Sequence, residues 1–367
     1  MTSWDFLVDR NNLTNTTVVN TAPRALDGGE ARLRVDAFGF TANNITYAVF
    51  GDMIGYWNFF PVPDQGDDTN WGRVPVWGFA DVVESKAEGL TEGARVYGYL
   101  PMSTELIVTP GRVTDTYFVD AVSHRSVLPP TYNRYSFTTG DQLYSSDLEP
   151  QQMLLRPLFM TGFVIDVFLA DKNFFDASTV IATSASSKTA IAAAHLIDRR
   201  EGLRVVGLTS DSNVEFVENL GCYDQVISYD QLADGESLAD GSAVLIDFAG
   251  DAAVVRAVHE QLTDRLAYSS RIGGTHWDAG ADESAPLPGP TPEFFFAPTI
   301  IEELAANRGA DDLDHDLGEA WLPFVERLRG ALSVQYQSGS EAVRATYLDH
   351  LAGTASPSVG TILQPGG

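Results

Sequence analysis

The 367-residue chain is 44% hydrophobic, which at roughly 100 to 200 residues per domain suggests about two domains with ample cores. Its 50 acidic and 23 basic residues leave a formal net charge of −27, which argues against nucleic-acid binding through a basic face, because a polyanion is held by a positive patch that releases counterions. Only Lys86, Lys172 and Lys188 are lysines, and the carboxylate surplus suits solubility at high ionic strength.

The N-terminal run MTSWDFLVDRNNLTNTT is polar and lacks the cationic start and apolar core of a secretory signal. Cys222 is the only cysteine, so an intrachain disulfide or a site built on two thiolates is excluded and a reducing compartment is the natural home. From Val18 to Val122, short apolar runs such as ARLRVDAF, VPVWGFADVVES and RVYGYL alternate with Gly, Pro and Asp turns, the pattern of a β-rich, barrel-like unit. The apolar stretch Pro157 to Ala170 falls short of the roughly 20 residues that cross a bilayer and contains Asp166. The chain is therefore expected to be soluble and cytoplasmic.

From about Leu148 the rhythm changes to helices alternating with compact strands, the signature of a parallel sheet. Strands are expected at Thr179–Thr183, Arg204–Thr209, Gln225–Ser228, Ala243–Phe248 and Arg265–Ile272, with helices at Lys188–Arg199, Asn213–Leu220 and Ala253–Leu262. A Pro-rich stretch from Gly280 to Pro298, carrying Phe294, Phe295 and Phe296, reads as a surface excursion that packs aromatics over a cleft. Helical runs follow at Thr299–Asn307, Leu313–Leu332 and Glu341–Leu351, and GTILQP closes the chain as a strand.

The most informative element is Ser178 to Asp230, which reads strand, small-residue turn, helix, strand, helix, strand. A turn that opens onto a helix N-terminus offers backbone N–H groups and a positive dipole end to a pyrophosphate. Here the turn carries Ser184, Ala185, Ser186 and Ser187 where the dinucleotide fingerprint has glycines, and an ordinary serine-capped βα turn would read the same way.

With its surroundings this stretch resembles the medium-chain dehydrogenase/reductase superfamily, particularly the zinc-independent quinone and enone reductases and a bacterial branch of undefined activity. The resemblance runs through Gly39 to Asn44, then Pro75, Gly78, Val82 to Ser85, Gly89, Leu90, Gly93, Arg95 and Val96. It continues through Thr161-Gly162, Leu220-Gly221-Cys222 and Gly360 to Leu363. It implies an α/β chain with a GroES-like β-barrel domain at 1–150, a Rossmann-type nucleotide-binding domain at 151–310 and a return to the barrel over 311–367. Where zinc-dependent members have Gly-His-Glu, this chain has Gly78-Phe79-Ala80, so no catalytic zinc is expected. The family commonly dimerises, which makes a homodimer the expected partner state beside a small-molecule substrate.

The resemblance implies NADP or NAD held by Thr161, Ser184, Ser186, Ser187, Lys188, Thr189, Thr209, Ser210, Ser212, Tyr229 and Gly273. An acidic residue at the end of the second strand would bind the ribose hydroxyls of NAD and repel a 2′-phosphate. That strand ends Gly207-Leu208-Thr209-Ser210, whose hydroxyls favour NADP, while Asp211 argues mildly for NAD.

Hydride transfer needs a donor where negative charge develops. Candidates are the amide of Asn44, the phenols of Tyr47 and Tyr56, and Asp52 as a carboxylate that tunes or orients one of them. His276, in the Gly-rich loop after the last sheet strand, is a proton-transfer candidate near neutral pH. Trp57, Phe59, Trp277 and Phe295 imply an apolar, aromatic pocket suited to a hydrophobic or aromatic ketone or enone. Two further readings stay open. One is non-redox chemistry on the same scaffold, carbon–carbon cleavage or hydration of a β-hydroxy or β-keto compound, with His276 and Asp52 or Asp278 as acid and base. The other is a nucleotide-sensing protein without catalysis.

Overall fold

The computed structural model describes residues 3–53, 55–62, 70–272 and 286–366. The chain divides into two compact units, one formed by Met1–Leu154 with Val334–Gly367 and the other by Leu155–Ser333.

The first unit is antiparallel β. Its larger sheet has 9 strands, and its spine is the long pairing of Ala31–Phe40 with Pro75–Ser85, in which Val35 lies opposite Ala80 and Phe38 opposite Gly78. Bulges at Arg32/Leu33 and at Val35/Ala37 interrupt that ladder, the device by which such a sheet bends toward closure. Arg95–Pro101 pairs on the far edge of Pro75–Ser85, and the C-terminal Val359–Gln364 pairs antiparallel with Ala31–Phe40. A smaller sheet of 3 strands is built on the hairpin Ser3–Asp9/Asn12–Thr21. The alternation of apolar and polar residues therefore starts earlier than the expected Val18, in a segment whose Asn and Thr content masks it. Phe6, Val8, Leu33, Phe38, Val76, Val96 and Tyr99 are buried together in the core; each large apolar side chain so buried contributes about 1.5–3 kcal/mol.

Within this unit Ala42–Val49 is a helix, so the stretch Gly39 to Asn44 that carries part of the resemblance is half strand and half helix. The strand stops at Phe40 because Thr41 and Asn44 form a capping box: the Asn44 side chain receives the Thr41 backbone N–H at 2.8 Å.

The second unit is a six-stranded parallel sheet. Its spatial order is Gln225–Ser228, Arg204–Thr209, Thr179–Ala182, Ala243–Asp247, Leu266–Arg271, Glu293–Phe294. Counted along the chain this is 3-2-1-4-5-6, the doubly wound arrangement that places a crevice where strands 1 and 4 diverge. Thr179–Ala182 and Ala243–Asp247 are buried at every position, as expected of parallel strands covered on both faces. The helices Lys188–Ile197, Val214–Asn219 and Ala252–Leu262 fall within a residue or two of the positions expected from sequence. Ala297–Arg308 and Ala310–Leu328 follow, and the closing helix Ser340–Leu351 and strand Val359–Gln364 lie in the first unit.

The apolar stretch expected to be too short for a membrane lies in a longer helical segment, Ser146–Asp171, of 26 residues, because Pro157 is accommodated inside the helix. By length and composition this segment could cross a bilayer, yet 67% of its most apolar window is buried inside the protein, as in a core helix. In the Pro-rich stretch, residues up to 285 lie outside the described residues. Beyond it Phe294 is exposed on the edge strand, whereas Phe295 is buried against Phe168 with ring centroids 5.5 Å apart.

Candidate functional site

In the second unit the turn between Thr179–Ala182 and the helix Lys188–Ile197 lies at the divergence of strands 1 and 4. Ser184 adopts a left-handed conformation (φ +48°) that a glycine would take without strain. Neighbouring elements tie the turn down. The Ser184 backbone N–H donates to the Tyr229 hydroxyl at 3.0 Å, and the Ala185 N–H donates to the Leu208 carbonyl at 2.9 Å. The Tyr223 hydroxyl donates to the Ala185 carbonyl at 2.9 Å. Asn213 donates its amide to the Ser186 hydroxyl at 3.2 Å, and Ser187 caps the helix by accepting the Ala190 N–H at 3.3 Å.

Gly207 makes this packing possible: a Cβ there would stand 2.9 Å from the Ala185 methyl and 2.8 Å from the Tyr223 ring. The turn is thus held in place by tyrosines and a strand glycine, where the dinucleotide fingerprint uses glycines of its own. Lys188, the first residue of the helix, has its ammonium lowered to about 8 by burial, and Tyr229 has its phenol pushed up to about 12 by burial.

One set of contacts had no signal in the sequence reading. Thr183, at the end of strand 1, donates its hydroxyl to Asp247 Oδ1 at 2.7 Å across to the end of strand 4. The Thr183 hydroxyl in turn accepts the N–H groups of Phe248 and Ala249 at 2.9 and 3.0 Å. Burial raises the Asp247 carboxyl above the usual range, opposed by the Thr183 hydroxyl, the amides of Gly250 and Ala249 and the charge of Arg271.

Thr209 closes strand 2, fully buried, and Ser210 and Ser212 beyond it are 3.2 Å apart at their hydroxyls. Close by, the side chain of Asp211, a like charge, raises the Asp230 carboxyl above its ordinary value. Thr161 does not reach the turn with a hydrogen bond; its hydroxyl donates to the Pro157 carbonyl at 3.2 Å, one turn back in its own helix. Thr189 lies in the first turn of the helix Lys188–Ile197.

In the first unit the structure brings Tyr47, Tyr56, Trp57 and Phe59 into one buried aromatic cluster. Tyr47, Tyr56, Tyr132 and Tyr99 form a closed ring of contacts, with successive ring centroids 4.5, 5.8, 4.7 and 5.7 Å apart. The hydroxyls of Tyr56 and Tyr132 are hydrogen-bonded at 3.1 Å, and Trp77 Nε1–H donates to Tyr47 at 3.4 Å. Burial raises the phenols of both Tyr47 and Tyr56, so each is a protonated donor at neutral pH. Trp57 is a packing residue, with Gly72 adjoining its ring so closely that a Cβ there would sit 2.4 Å from it.

Asn44 and Asp52 do not take the places the sequence suggested. The Asn44 amide is engaged at both ends, accepting from Thr41 and donating to the Pro75 carbonyl at 3.0 Å, which makes it a brace between helix and strand. Asp52 has a 63% exposed side chain and pairs with Arg10 instead of orienting a tyrosine. Tyr132 was missed because it stands 76 residues from Tyr56 with no local pattern to connect them. Gly273, His276, Trp277 and Asp278 lie outside the described residues. Among the described residues no three His, Cys, Asp or Glu side chains come together as a metal site.

The profile of the family described as "Protein of unknown function (DUF2855)" matches residues 38–356. No curated protein matches the sequence. Among solved structures, the chain is similar to CurA from Vibrio vulnificus in complex with NADPH, at 13% identity over 99% of each chain and a TM-score of 0.63. It is also similar to the yhdH oxidoreductase from Salmonella enterica in complex with NADP, at 13% identity over 98% of this chain and 99% of that one, with a TM-score of 0.55. A mutant enoyl thioester reductase from Candida tropicalis matches at 13% identity over 99% and 100% of the two chains, with a TM-score of 0.56. These likenesses establish the fold, a GroES-like barrel with a Rossmann-type unit, as the resemblance to zinc-independent medium-chain reductases implied.

Proposed function

The chain belongs to the DUF2855 family, and we propose that it is an NADPH-dependent, zinc-independent reductase of a hydrophobic or aromatic ketone or enone. The observation that carries this reading is the serine turn, seated at the strand divergence of a 3-2-1-4-5-6 sheet and opening onto a helix N-terminus. The donor set fits a dinucleotide: the hydroxyls of Ser186 and Ser187 and the ammonium of Lys188 suit the phosphates, and those of Ser210 and Ser212 suit a phosphorylated ribose. Solved structures of the same fold hold NADPH or NADP.

When bound, the dinucleotide supplies the hydride. The chain's own part is to hold the phosphates at the helix N-terminus and to supply a proton where negative charge develops on the substrate. Tyr56 is the assigned proton donor. Burial keeps its phenol protonated, and its hydroxyl lies 3.1 Å from that of Tyr132, a contact in which either group can donate; with Tyr132 as donor the Tyr56 proton is left for the substrate. Asn44 acts on Tyr56 indirectly, by fixing the helix that carries Tyr47, whose ring lies 4.5 Å from that of Tyr56. The aromatic rings beside Tyr56, those of Tyr47, Phe59 and Tyr132, suit an apolar substrate. The non-redox reading loses one of its two candidate carboxylates, because Asp52 is committed to Arg10.

The test is turnover of a panel of aromatic ketones and enones with NADPH. Consumption of NADPH that depends on substrate and falls in Tyr56→Phe supports the reading; NADPH binding with no turnover across the panel supports the nucleotide-sensing alternative instead.

A further inference from the structure

A buried carboxylate oxygen without a partner is costly, and its persistence asks for an explanation. Asp247 is 3% exposed, and its two oxygens are treated very differently. Oδ1 accepts the Thr183 hydroxyl at 2.7 Å and the N–H groups of Ala249 and Gly250 at 3.1 Å each. Oδ2 has no hydrogen-bond partner among the described residues.

The position of this atom is as informative as its vacancy. Asp247 ends strand 4, directly across from the end of strand 1, where an open α/β sheet receives its ligand. An orphan carboxylate oxygen repels a phosphate, so of the groups a dinucleotide carries the ones that can complete it are hydrogen-bond donors such as the sugar hydroxyls. Strands 2 and 3 form the half of the sheet on the adenosine side of the divergence, and strand 4 begins the other half. We propose that Asp247 Oδ2 accepts a hydroxyl of the ribose that carries the nicotinamide, while Oδ1 locks the serine turn through Thr183. This rests on the reading that a dinucleotide occupies the turn. It divides the work of one side chain: one oxygen positions protein, the other selects for a sugar hydroxyl.

Asp247→Asn separates the two tasks. An asparagine keeps an oxygen at the Oδ1 place to hold Thr183, Ala249 and Gly250, and puts an amide N–H₂ where Oδ2 was. Binding is measured by calorimetry with two probes, NADPH and adenosine 2′,5′-bisphosphate, which spans only the adenosine half. The expected result is a loss of at least about tenfold in NADPH affinity, the scale of one hydrogen bond to a charged acceptor, with bisphosphate affinity unchanged within about twofold. NADPH affinity within about twofold of wild type would overturn the assignment, as would an equal loss for both probes, which would mark a deformed turn. Should the wild-type protein bind neither probe, the dinucleotide reading itself fails and the assignment with it; wild-type binding with an unaffected variant sinks the assignment alone. A ligand-side deletion makes the same test without altering the fold. An NADPH analogue lacking the nicotinamide-ribose hydroxyls should bind wild type about as weakly as NADPH binds D247N, and undiminished binding of that analogue would overturn the proposal.

Discussion

His195 makes the helix that follows the serine turn sensitive to acid. It is 3% exposed, lies in the last turn of the helix Lys188–Ile197, and neither ring nitrogen has a hydrogen-bond partner among the described residues. Its ring lies 5.6 Å from that of Phe324. Burial, with the charges of Arg327 and Arg199 adding to it, lowers the imidazole from 6.5 to about 4. A depressed histidine contributes stability in full above its unfolded value and loses it as pH falls through that value toward the folded one. The window is therefore pH 6.5 down to about 4, and the shift corresponds to about 3 kcal/mol lost across it. Hydrogen exchange of the amides in Lys188–Ile197, corrected for intrinsic rates, should lose about two orders of magnitude more protection in wild type than in His195→Leu over that window. The leucine removes the titrating group and leaves an apolar side chain of similar bulk beside Phe324. Equal acid sensitivity in both proteins would refute the assignment of this lability to His195.

Other expectations follow from the same geometry. Tyr56→Phe should reduce turnover by about 10²–10⁴, the usual worth of a positioned proton donor, with NADPH affinity unchanged by calorimetry; full activity would remove Tyr56 from the mechanism. Tyr229→Phe deprives the Ser184 N–H of its acceptor and should destabilise the second unit by about 1–3 kcal/mol, with calorimetric unfolding as the measure and an unchanged transition as the contrary result. Gly207→Ala should be worse, since the new methyl meets Ala185 and Tyr223 at under 3 Å; overpacking of this kind costs about 1–3 kcal/mol or more, and normal nucleotide affinity in that variant would mean the turn tolerates the displacement. Asp211→Asn removes a carboxylate beside Ser210 and Ser212 and should raise the NADPH-over-NADH ratio by about fivefold, the effect of roughly 1 kcal/mol between solvated charges; competitive binding of the two nucleotides reads it directly.

Where the chain encodes structure locally, the sequence sufficed. Arg204–Thr209 and Gln225–Ser228 are short β-branched runs closed by Thr or Ser, and their bounds match those read from the residues alone. The helix Lys188–Ile197 announces itself through the serine cap and an alanine-rich body. What escaped is what distant residues do to one another. Thr183 and Asp247 are 64 residues apart, and nothing local in either strand foretells that one clasps the other. Asp52 looked like a partner for one of the tyrosines on either side of it, Tyr47 or Tyr56, but Arg10, 42 residues upstream, takes its charge. Asn44 sits in a motif that suggested a ligand-facing amide, yet its capping box with Thr41 consumes the acceptor and the Pro75 carbonyl engages the donor. A pattern of residue types can propose a cluster of aromatic hydroxyls; only tertiary packing assigns Tyr132 as the partner of Tyr56.

The central claim, that the serine turn holds a dinucleotide, is tested most directly by calorimetric titration of the purified protein with NADPH and, separately, NADH. Saturable binding of NADPH, tighter than that of NADH, is the predicted result. Failure of both nucleotides to bind would contradict it and leave the turn as a closed structural element.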